Sequence, residues 1–333
     1  MSAQRQLQQK IKMLAAEAGF ARSGVAPIDP PADGERFVQW LAKGHGGGMQ
    51  YLARNTDVRL DPRKLLDGAR SVLCLAWAYD RRDCPSGLFA RYARGADYHQ
   101  TLKQLCRRLM DQIRLIAPHF RGRAFVDSAP LLERSLAARA GLGVIGANGC
   151  LIVPGVGSYV LLAEIVSNLD LPADEPLEPA CQQCGRCIRA CPTNAFDPDG
   201  MLDARRCLSY LTIEHKGPMD PGRIEKITRI AGCDICQEVC PHNAGACQAS
   251  PGPANAVESA TLGDIINWRS DDWATKSAGT AVARLSYEML MRNAVIVAAN
   301  AGRGDLTNRI RDLEPVVGSE IVEWALRKLG GAQ

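Results

Sequence analysis

Cysteines with regular spacing crowd residues 181–240. The run Cys181-x2-Cys184-x2-Cys187-x3-Cys191-Pro192 precedes Cys207 and a second run, Cys233-x2-Cys236-x3-Cys240-Pro241. This spacing is typical of thiolate ligands for two [4Fe–4S] clusters, in which the fourth cysteine of the first run ligates the other cluster. Eight of the 13 cysteines then fill two four-ligand sites. We therefore predict one cluster on Cys181, Cys184, Cys187 and Cys240, and a second on Cys191, Cys207, Cys233 and Cys236.

Structural zinc and disulfide bonds are the alternative uses of such cysteines. Zinc ribbons hold two Cys-x2-Cys pairs well apart, whereas Cys187 and Cys191 follow the first pair closely. The N-terminus lacks an apolar signal-peptide core. A cytoplasmic location is therefore expected, where thiols stay reduced. The pattern favours iron–sulfur clusters, and hence one-electron chemistry.

Composition excludes several classes of protein. With 333 residues, 46% hydrophobic and 23% charged, the chain is ordinary for a globular protein of two or three domains. A net charge of +4 permits a polyanionic partner without demonstrating one. Aromatic residues make up only 5%, which argues against an extended base-stacking platform. No apolar run approaches the roughly 20 residues that span a bilayer, so no membrane association is predicted.

Hydrophobic periodicity predicts a multidomain α+β fold. Residues 1–167 form a predicted α/β domain, residues 168–250 a ferredoxin-like domain with the two clusters, and residues 251–333 a helical, HEAT-like C-terminal region. In the first domain, helices are predicted over 7–18, 102–116 and 130–140, and strands over 71–76, 124–126, 151–153 and 159–166. Helices over 286–301 and 316–329 are predicted for the last. The strand at 124–126 would deliver Asp127 at its carboxyl end.

Familiar cofactor motifs are incomplete. Gly141-x-Gly143-x-x-Gly146 matches the dinucleotide pattern, but it follows a predicted helix instead of opening one. The glycines at 44 and 46–48 lack the Gly-Lys-Ser/Thr of a phosphate loop. Asp97-x-His99 begins a cobalamin motif whose glycine is replaced by Leu102. Two clusters in series still require an electron acceptor, which we expect in the α/β domain.

Several longer segments resemble the epoxyqueuosine reductase family of iron–sulfur and cobalamin enzymes. Besides the cysteine runs, the resemblance rests on residues 93–99 (ARGADYH), 127–134 (DSAPLLER), 140–148 (AGLGVIGAN), 207–214 (CLSYLTIE) and 232–241 (GCDICQEVCP). It runs in order over residues 45–245. Where the family commonly has Trp and Lys, this chain has Val144 and Ala147, and Gly149 also departs from the pattern.

The resemblance implies a reaction. Members of the family reduce the epoxide of a modified wobble nucleoside, near the anticodon of tRNA, to an alkene. The clusters would pass electrons singly from an external donor, such as a flavodoxin or ferredoxin, to a base-off cobalamin over the α/β domain. The chain is expected to act as a monomer.

The resemblance also implies residue roles. Asp127 matches the proposed proton donor, although Asp127 could instead cap the following helix, since Asp favours helix starts. The implied cobalamin contacts are Tyr98, His99, Asn148, Ser209 and Asp234. Each could also serve the backbone or the core. The implied tRNA contacts are Lys216 and Arg134, among basic residues that a solvated helix face explains equally well.

Three other functions fit parts of the sequence. A cobalamin-dependent reductive dehalogenase shares the same cofactors, but such proteins usually carry a twin-arginine signal, which this chain lacks. A ferredoxin-type electron carrier would bind clusters without cobalamin. A zinc-stabilised RNA-binding module would be colourless.

Overall fold

An antiparallel sheet organises the N-terminal region. The computed structural model describes residues 2–31, 33–80, 82, 86–245 and 255–330. The strands are β1 (Arg22–Pro27), β2 (Ser71–Ala78), β3 (Gly122–Phe125), β4 (Val144–Ile145), β5 (Leu151–Ile152) and β6 (Val160–Ser167). Four of them form one sheet in the order β1-β2-β6-β3, each pair antiparallel. The predicted α/β layout is therefore an α+β layout, because an α/β domain is built on parallel strands.

Helices cover both faces of this sheet. They are α1 (Ala3–Glu17), α2 (Gly34–Ala42), α3 (Thr56–Leu60), α4 (Tyr98–Ile116) and α5 (Glu133–Arg139). Side chains alternate along β2: Leu73 and Leu75 join the core with α1 and α4, whereas Val72 and Cys74 join the core with α5. Because both faces are covered, β2 reads as a continuous apolar run.

Glycine in β1 lets α5 lie against the sheet. A Cβ at Gly24 would fall 2.0 Å from the carbonyl oxygen of Ala140, just beyond the end of α5. Any side chain there would push the helix away. This close approach helps to hold α5, which carries Glu133, beneath the end of β3.

Short helices contain or separate the cysteines of residues 180–245. These are α6 (Arg186–Ala190), α7 (Leu208–Ile213), α8 (Pro221–Ile224) and α9 (Ile235–Glu238). Helix α6 follows Cys184 in the first run and α9 follows Cys233 in the second, and the two helices pack against each other. The β4–β5 hairpin lies beside them, since Asn148 Nδ2 donates to the carbonyl of Cys236 at 3.4 Å.

The C-terminal helices share a core with this cysteine module. They are α10 (Leu262–Asn267), α11 (Ser270–Ser277), α12 (Tyr287–Asn300), α13 (Thr307–Asp312), α14 (Glu314–Val317) and α15 (Ser319–Gly330). One hydrophobic cluster joins Leu211 and Ile230 to Leu290 and Ile296. Buried Asn293 donates to the carbonyls of Thr212 and Ile230, both at 2.8 Å. Helix α12 is thus a scaffold for residues 208–230. No helix among the described residues is long and apolar enough to cross a membrane.

Candidate active site and cysteine module

The first predicted ligand set surrounds one cavity. Its lining includes Cys181, Cys184, Cys187 and Cys240, together with Asn148 and His242. The four thiols come from both cysteine runs, so the chain crosses between the two sites here. Cys184 is exposed, whereas the other three are partly buried.

His242 adds an independent sign that this cavity suits a cluster. The Nε2 atom of His242 is buried and has no hydrogen-bond partner among the described residues. A buried polar atom without a partner is costly, and the sulfurs of an iron–sulfur cluster accept hydrogen bonds. Four thiols and an unpartnered imidazole nitrogen therefore fit a [4Fe–4S] cluster.

The second predicted set is more enclosed. The thiols of Cys191, Cys233 and Cys236 all lie near enough to Cys207 to interact with it electrostatically. Cys207 and Cys233 also pack against the core that α12 shares. The second set also fits a [4Fe–4S] cluster, because four soft thiol ligands from separate turns converge on one region.

Asp234, which the sequence predicts as a cobalamin contact, is held in a network of ion pairs. Its side chain is 2% exposed and pairs with Arg229 at 2.5 Å and Arg91 at 3.4 Å. The backbone N–H of Arg91 also donates to it at 2.9 Å. Glu238 completes the network by pairing with both arginines. Asp234 is fully occupied in joining the second ligand set to residues 91–93.

Asn148 likewise serves its own turn. Its Oδ1 accepts the N–H of Cys150 at 3.1 Å, and the residue is buried beside the first ligand set. This is the local backbone role that the sequence left open. Cys150, which is in neither predicted ligand set, has its thiol against that of Cys236. Cys74 and Cys106 are buried core residues, while Cys84 and Cys247 lie outside the described residues.

Asp127 is held in a hydrogen-bonded array with two residues that begin α4. Tyr98 donates its hydroxyl to Asp127 Oδ2 at 3.0 Å, and His99 Nε2 lies 3.0 Å from the same oxygen. His99 Nδ1 lies 2.7 Å from Asp97 Oδ1. Both ring nitrogens thus face carboxylate oxygens, which requires two N–H donors and hence an imidazolium. We name Asp97, Tyr98, His99 and Asp127 the aspartate array.

Asp127 does not cap a helix. Its φ of 57° is left-handed, its carboxylate points to α4, and α5 begins only at Glu133 after Leu132. The backbone N–H of Asp127 donates to Glu133 Oε1 at 2.8 Å, which fixes the turn. The side chain of Asp127 remains 45% exposed, so the array is open to a ligand.

The ionisation of the array follows from its hydrogen bonds. The bond from His99 lowers the pKa of Asp127, and Tyr98 adds to this, against the opposing effect of burial. The bond to Asp127 raises the pKa of His99, and Asp97 raises it further. Burial of Asp127 therefore does not produce the raised carboxyl pKa that direct donation requires. These two pKa shifts favour the proton on His99 over the proton on Asp127.

Two buried carboxyl groups lie beneath the array. Burial raises the pKa of Glu133 to about 7, and the charge of Asp127 adds to the shift. Burial raises the pKa of Glu164 well above its usual range, with Glu133 as its main electrostatic neighbour. Neither Glu164 carboxyl oxygen has a hydrogen-bond partner in the described part of the chain. Burial without a hydrogen-bond partner therefore favours the neutral form of the Glu164 carboxyl group.

Arg284 reaches this site from the C-terminal region, and no motif in the sequence predicts its presence there. Its guanidinium pairs with Glu214. It also interacts electrostatically with Asp127, Tyr51 and Tyr92. The chain that leads to Arg284 lies against the start of α4, because the backbone N–H of Asp97 donates to the carbonyl of Gly279 at 2.7 Å.

The array and the second ligand set are linked through residues 91–93. The ring of Tyr92 packs edge-on against Tyr98, with centroids 6.3 Å apart. Its neighbour Arg91 binds Asp234, which lies between Cys233 and Cys236. The thiol set that contains Cys233 is therefore connected to the aspartate array through Asp234, Arg91 and Tyr92.

The remaining predicted contacts lie at the surface or half-buried. Lys216 is exposed two residues beyond Glu214, and Arg134 is exposed with its guanidinium donating to the Gly149 carbonyl. Ser209 on α7 is half-buried. The amide side chains on the corrin ring of cobalamin need hydrogen-bond donors and acceptors from the protein. The cobalamin contacts stay predictions: polar atoms of Tyr98 and His99 are engaged within the aspartate array, and those of Asn148 and Asp234 within the cysteine module.

Fold and donor set define an iron–sulfur oxidoreductase, and its similarity to known proteins identifies the family. A protein-family model described as "4Fe-4S double cluster binding domain" matches residues 180–243, so the protein binds two [4Fe–4S] clusters. A model described as "Epoxyqueuosine reductase QueG, DUF1730" matches residues 59–128, which include the aspartate array.

Whole-chain relatives agree with these matches. Epoxyqueuosine reductase of Xanthomonas campestris is 38% identical, covering 96% of each chain. That of Pseudomonas aeruginosa is 34% identical, covering 97% of this chain and 95% of its own. The chain belongs to the epoxyqueuosine reductase family.

Solved structures show the same fold. An epoxyqueuosine reductase bound to an epoxyqueuosine-modified tRNA-Tyr stem loop is 28% identical, with a TM-score of 0.90 over 98% of this chain and 91% of its own. The Bacillus subtilis enzyme, captured with its catalytic aspartate loop swung out of the active site, is 27% identical. Its TM-score is 0.89 over 98% of this chain and 91% of its own.

Proposed function

We propose that this protein reduces epoxyqueuosine in tRNA to queuosine. The reaction removes the epoxide oxygen as water and leaves an alkene, consuming two electrons and two protons. The observation that carries the proposal is the aspartate array, open on one side and joined through Arg91 to a cysteine module. Proteins named epoxyqueuosine reductase are similar to this chain over nearly its whole length, both in sequence and in fold.

The cofactor roles follow the donor sets. Cys181, Cys184, Cys187 and Cys240 would hold one cluster, and Cys191, Cys207, Cys233 and Cys236 the other. Cobalamin, when bound, supplies the low-potential cobalt centre that reduces the epoxide. Tyr98, His99 and Ser209 are the residues that would contact it. With both ring nitrogens engaged, His99 is no cobalt ligand in this arrangement.

The array supplies the proton that the departing oxygen needs. His99 Nε2 holds that proton against Asp127 Oδ2, and Asp97 orients the imidazole from the other side. We propose that the proton moves from His99 through Asp127 to the departing oxygen, and that His99 takes a proton from solvent before the second of the two protons is delivered in the same way. Asp127 thus needs no raised pKa of its own in the resting state, since His99 stores the proton.

Substrate and organisation extend the proposal. The anticodon region of the tRNA would lie over exposed Lys216 and Arg134, with the modified base at Asp127. Arg284 is well placed to bind an anionic or polar group of the nucleotide. We assign residues 1–167 to the cobalamin and substrate domain, 168–250 to the cluster domain and 251–333 to a HEAT-like domain. The protein would act in the cytoplasm as a monomer.

An anaerobic turnover assay tests this function. Holoprotein with reconstituted clusters, cobalamin and a chemical reductant is mixed with tRNA carrying epoxyqueuosine. Mass spectrometry of the digested tRNA then reports loss of one oxygen. Conversion should require cobalamin. No conversion by a protein with intact clusters and bound cobalamin would refute the proposed substrate.

Asp127→Asn tests the proton role. We expect turnover to fall by about 10²–10⁴-fold, the usual contribution of a general acid. Clusters and cobalamin binding should be retained. Asp111→Asn, at an exposed position on α4, is the matched control and should leave turnover unchanged. Full activity of Asp127→Asn would remove Asp127 from the mechanism.

A further inference from the structure

The two ligand sets differ in their distance from the surface. Cys184 is exposed, as are its neighbours Gln182 and Gln183. The other set is enclosed by the core and joined to the aspartate array through Asp234 and Arg91. An electron that comes from outside and ends at the array would therefore enter at the Cys181 set.

An open cavity of about 640 Å³ lies beside this entry point. Its lining includes Arg186, Arg189, Glu238, Cys240 and Pro241. Arg186 and Arg189 are exposed on α6, the helix that contains Cys187. The cavity thus brings two guanidinium groups close to a cluster ligand.

The charges at this cavity are unbalanced. Glu238, the acidic residue of the lining, already pairs with Arg91 at 2.6 Å and Arg229 at 2.7 Å. No ion pair engages Arg186 or Arg189 within the described ranges, although Arg189 Nη2 donates to the Cys184 carbonyl at 3.0 Å. Arg91, Arg229 and Arg284, in contrast, are all paired. Two exposed cations therefore remain for an external partner.

We propose that Arg186 and Arg189 form the docking surface for an acidic one-electron carrier protein. The proposal rests on the proposed function, which requires electrons from outside. In each encounter the reduced carrier gives one electron to the oxidised cluster of the Cys181 set. The carrier leaves oxidised, and two encounters supply the two electrons of one turnover.

Charge complementarity favours an acidic protein at this surface. Opposite charges steer a protein partner to a defined patch and raise its association rate. An RNA is also anionic, but the substrate base must reach Asp127, and it is the Cys233 set that is joined to the array. A carrier at Arg186 leaves the array free for the substrate.

Rapid-mixing reduction of the holoprotein without tRNA tests the docking surface. The probe is reduced flavodoxin, and the signal is bleaching of the cluster absorbance. Arg186→Glu combined with Arg189→Glu should slow reduction by about 10-fold or more at low salt and weaken its salt dependence. Arg107→Glu combined with Arg108→Glu, two exposed positions on α4, should leave the rate unchanged. Reduced methyl viologen, a small cation, should reduce both variants without slowing.

Two results would overturn the proposal. One is reduction of the α6 variant by flavodoxin at the wild-type rate. The other is loss of tRNA affinity in that variant with the flavodoxin rate retained, which would make the surface an RNA contact. If the double variant assembles its clusters poorly, Arg186→Glu alone is used, because Arg186 makes no hydrogen bond to a described residue. Electron entry is read without substrate, so these outcomes stand apart from any failure of the turnover assay.

Discussion

The cysteine module and the aspartate array are assembled in opposite ways. Seven of the module's eight cysteines lie in two short runs, so local spacing fixes most of the ligand geometry. The array combines the start of α4 with a turn after β3, and Glu133, Glu164 and Arg284 approach it from three further segments. The module therefore depends on covalent spacing, whereas the array depends on the whole fold.

Replacing one crossing cysteine gives the largest expected effect. Cys191→Ala should remove the cluster of Cys207, Cys233 and Cys236, and should abolish turnover, because a thiolate ligand is lost. About half of the cluster iron should remain, in the Cys181 set. Iron and sulfide analysis with electron paramagnetic resonance measures this.

Cys181→Ala is the matched variant, and it should lose the other cluster. If Cys191→Ala instead removed the cluster of Cys181, Cys184 and Cys187, the ligand crossing would be wrong. The module would then be two sequential sites, one filled by the first run and the other by Cys207 with the second run.

Removing the imidazole of the array should have the next largest effect. His99→Gln should slow turnover by about 10²-fold, because Asp127 loses its proton store. In the wild type the pKa of His99 is raised above its usual value of about 6.5. Protonated His99 is present below this raised pKa, so turnover should fall as the pH rises through it.

The pairing of protonated His99 with Asp127 and Asp97 also stabilises the folded state. This stabilisation is complete below pH about 6.5 and is lost as the pH rises through the pKa of His99 in the folded protein.

The pH–rate profile measures the effect of His99 on turnover. His99→Gln should lose the alkaline limb that the wild type shows, while His119→Gln, at an exposed loop position, should keep it. An unchanged limb in His99→Gln would assign the titration to another group, and Glu133, with a pKa of about 7, would be the first to test.

The contrast between the two sites explains what the sequence could predict. Cysteine spacing predicted two groups of thiols, and the structure brings the members of each group together. The strand predicted over 124–126 likewise placed Asp127 just beyond β3. The sequence could not show that Asp234 is enclosed by Arg91 and Arg229, because one partner is 143 residues away. It also missed β1, whose RSGVAP sequence lacks a long apolar run. Antiparallel pairing and the approach of Arg284 are likewise non-local, and no local pattern encodes them.

The scaffold beneath the cysteine module gives a smaller expected effect. Asn293→Ala should lower the free energy of unfolding by about 2 kcal/mol, a factor of about 30, because two buried carbonyls, of Thr212 and Ile230, lose their donor. Urea titration followed by circular dichroism measures it. Asn308→Ala, at an exposed position on α13, is the control. Equal stability of the two variants would show that α12 does not hold residues 208–230 through this side chain.

His242 gives the smallest expected effect and the sharpest test of how the module tunes its chemistry. An N–H donated to a cluster sulfur stabilises the reduced state, which carries more negative charge, and so raises the reduction potential. His242→Phe should therefore lower the potential of the Cys181-set cluster. The ratio of reduced to oxidised cluster at a fixed potential should change several-fold, where tenfold corresponds to 59 mV for one electron. His242→Gln, which keeps an N–H donor, should change it less. A redox titration by electron paramagnetic resonance separates the two clusters. A shift confined to the Cys207 set, or none in either, would show that the unpartnered imidazole nitrogen does not face the first cluster.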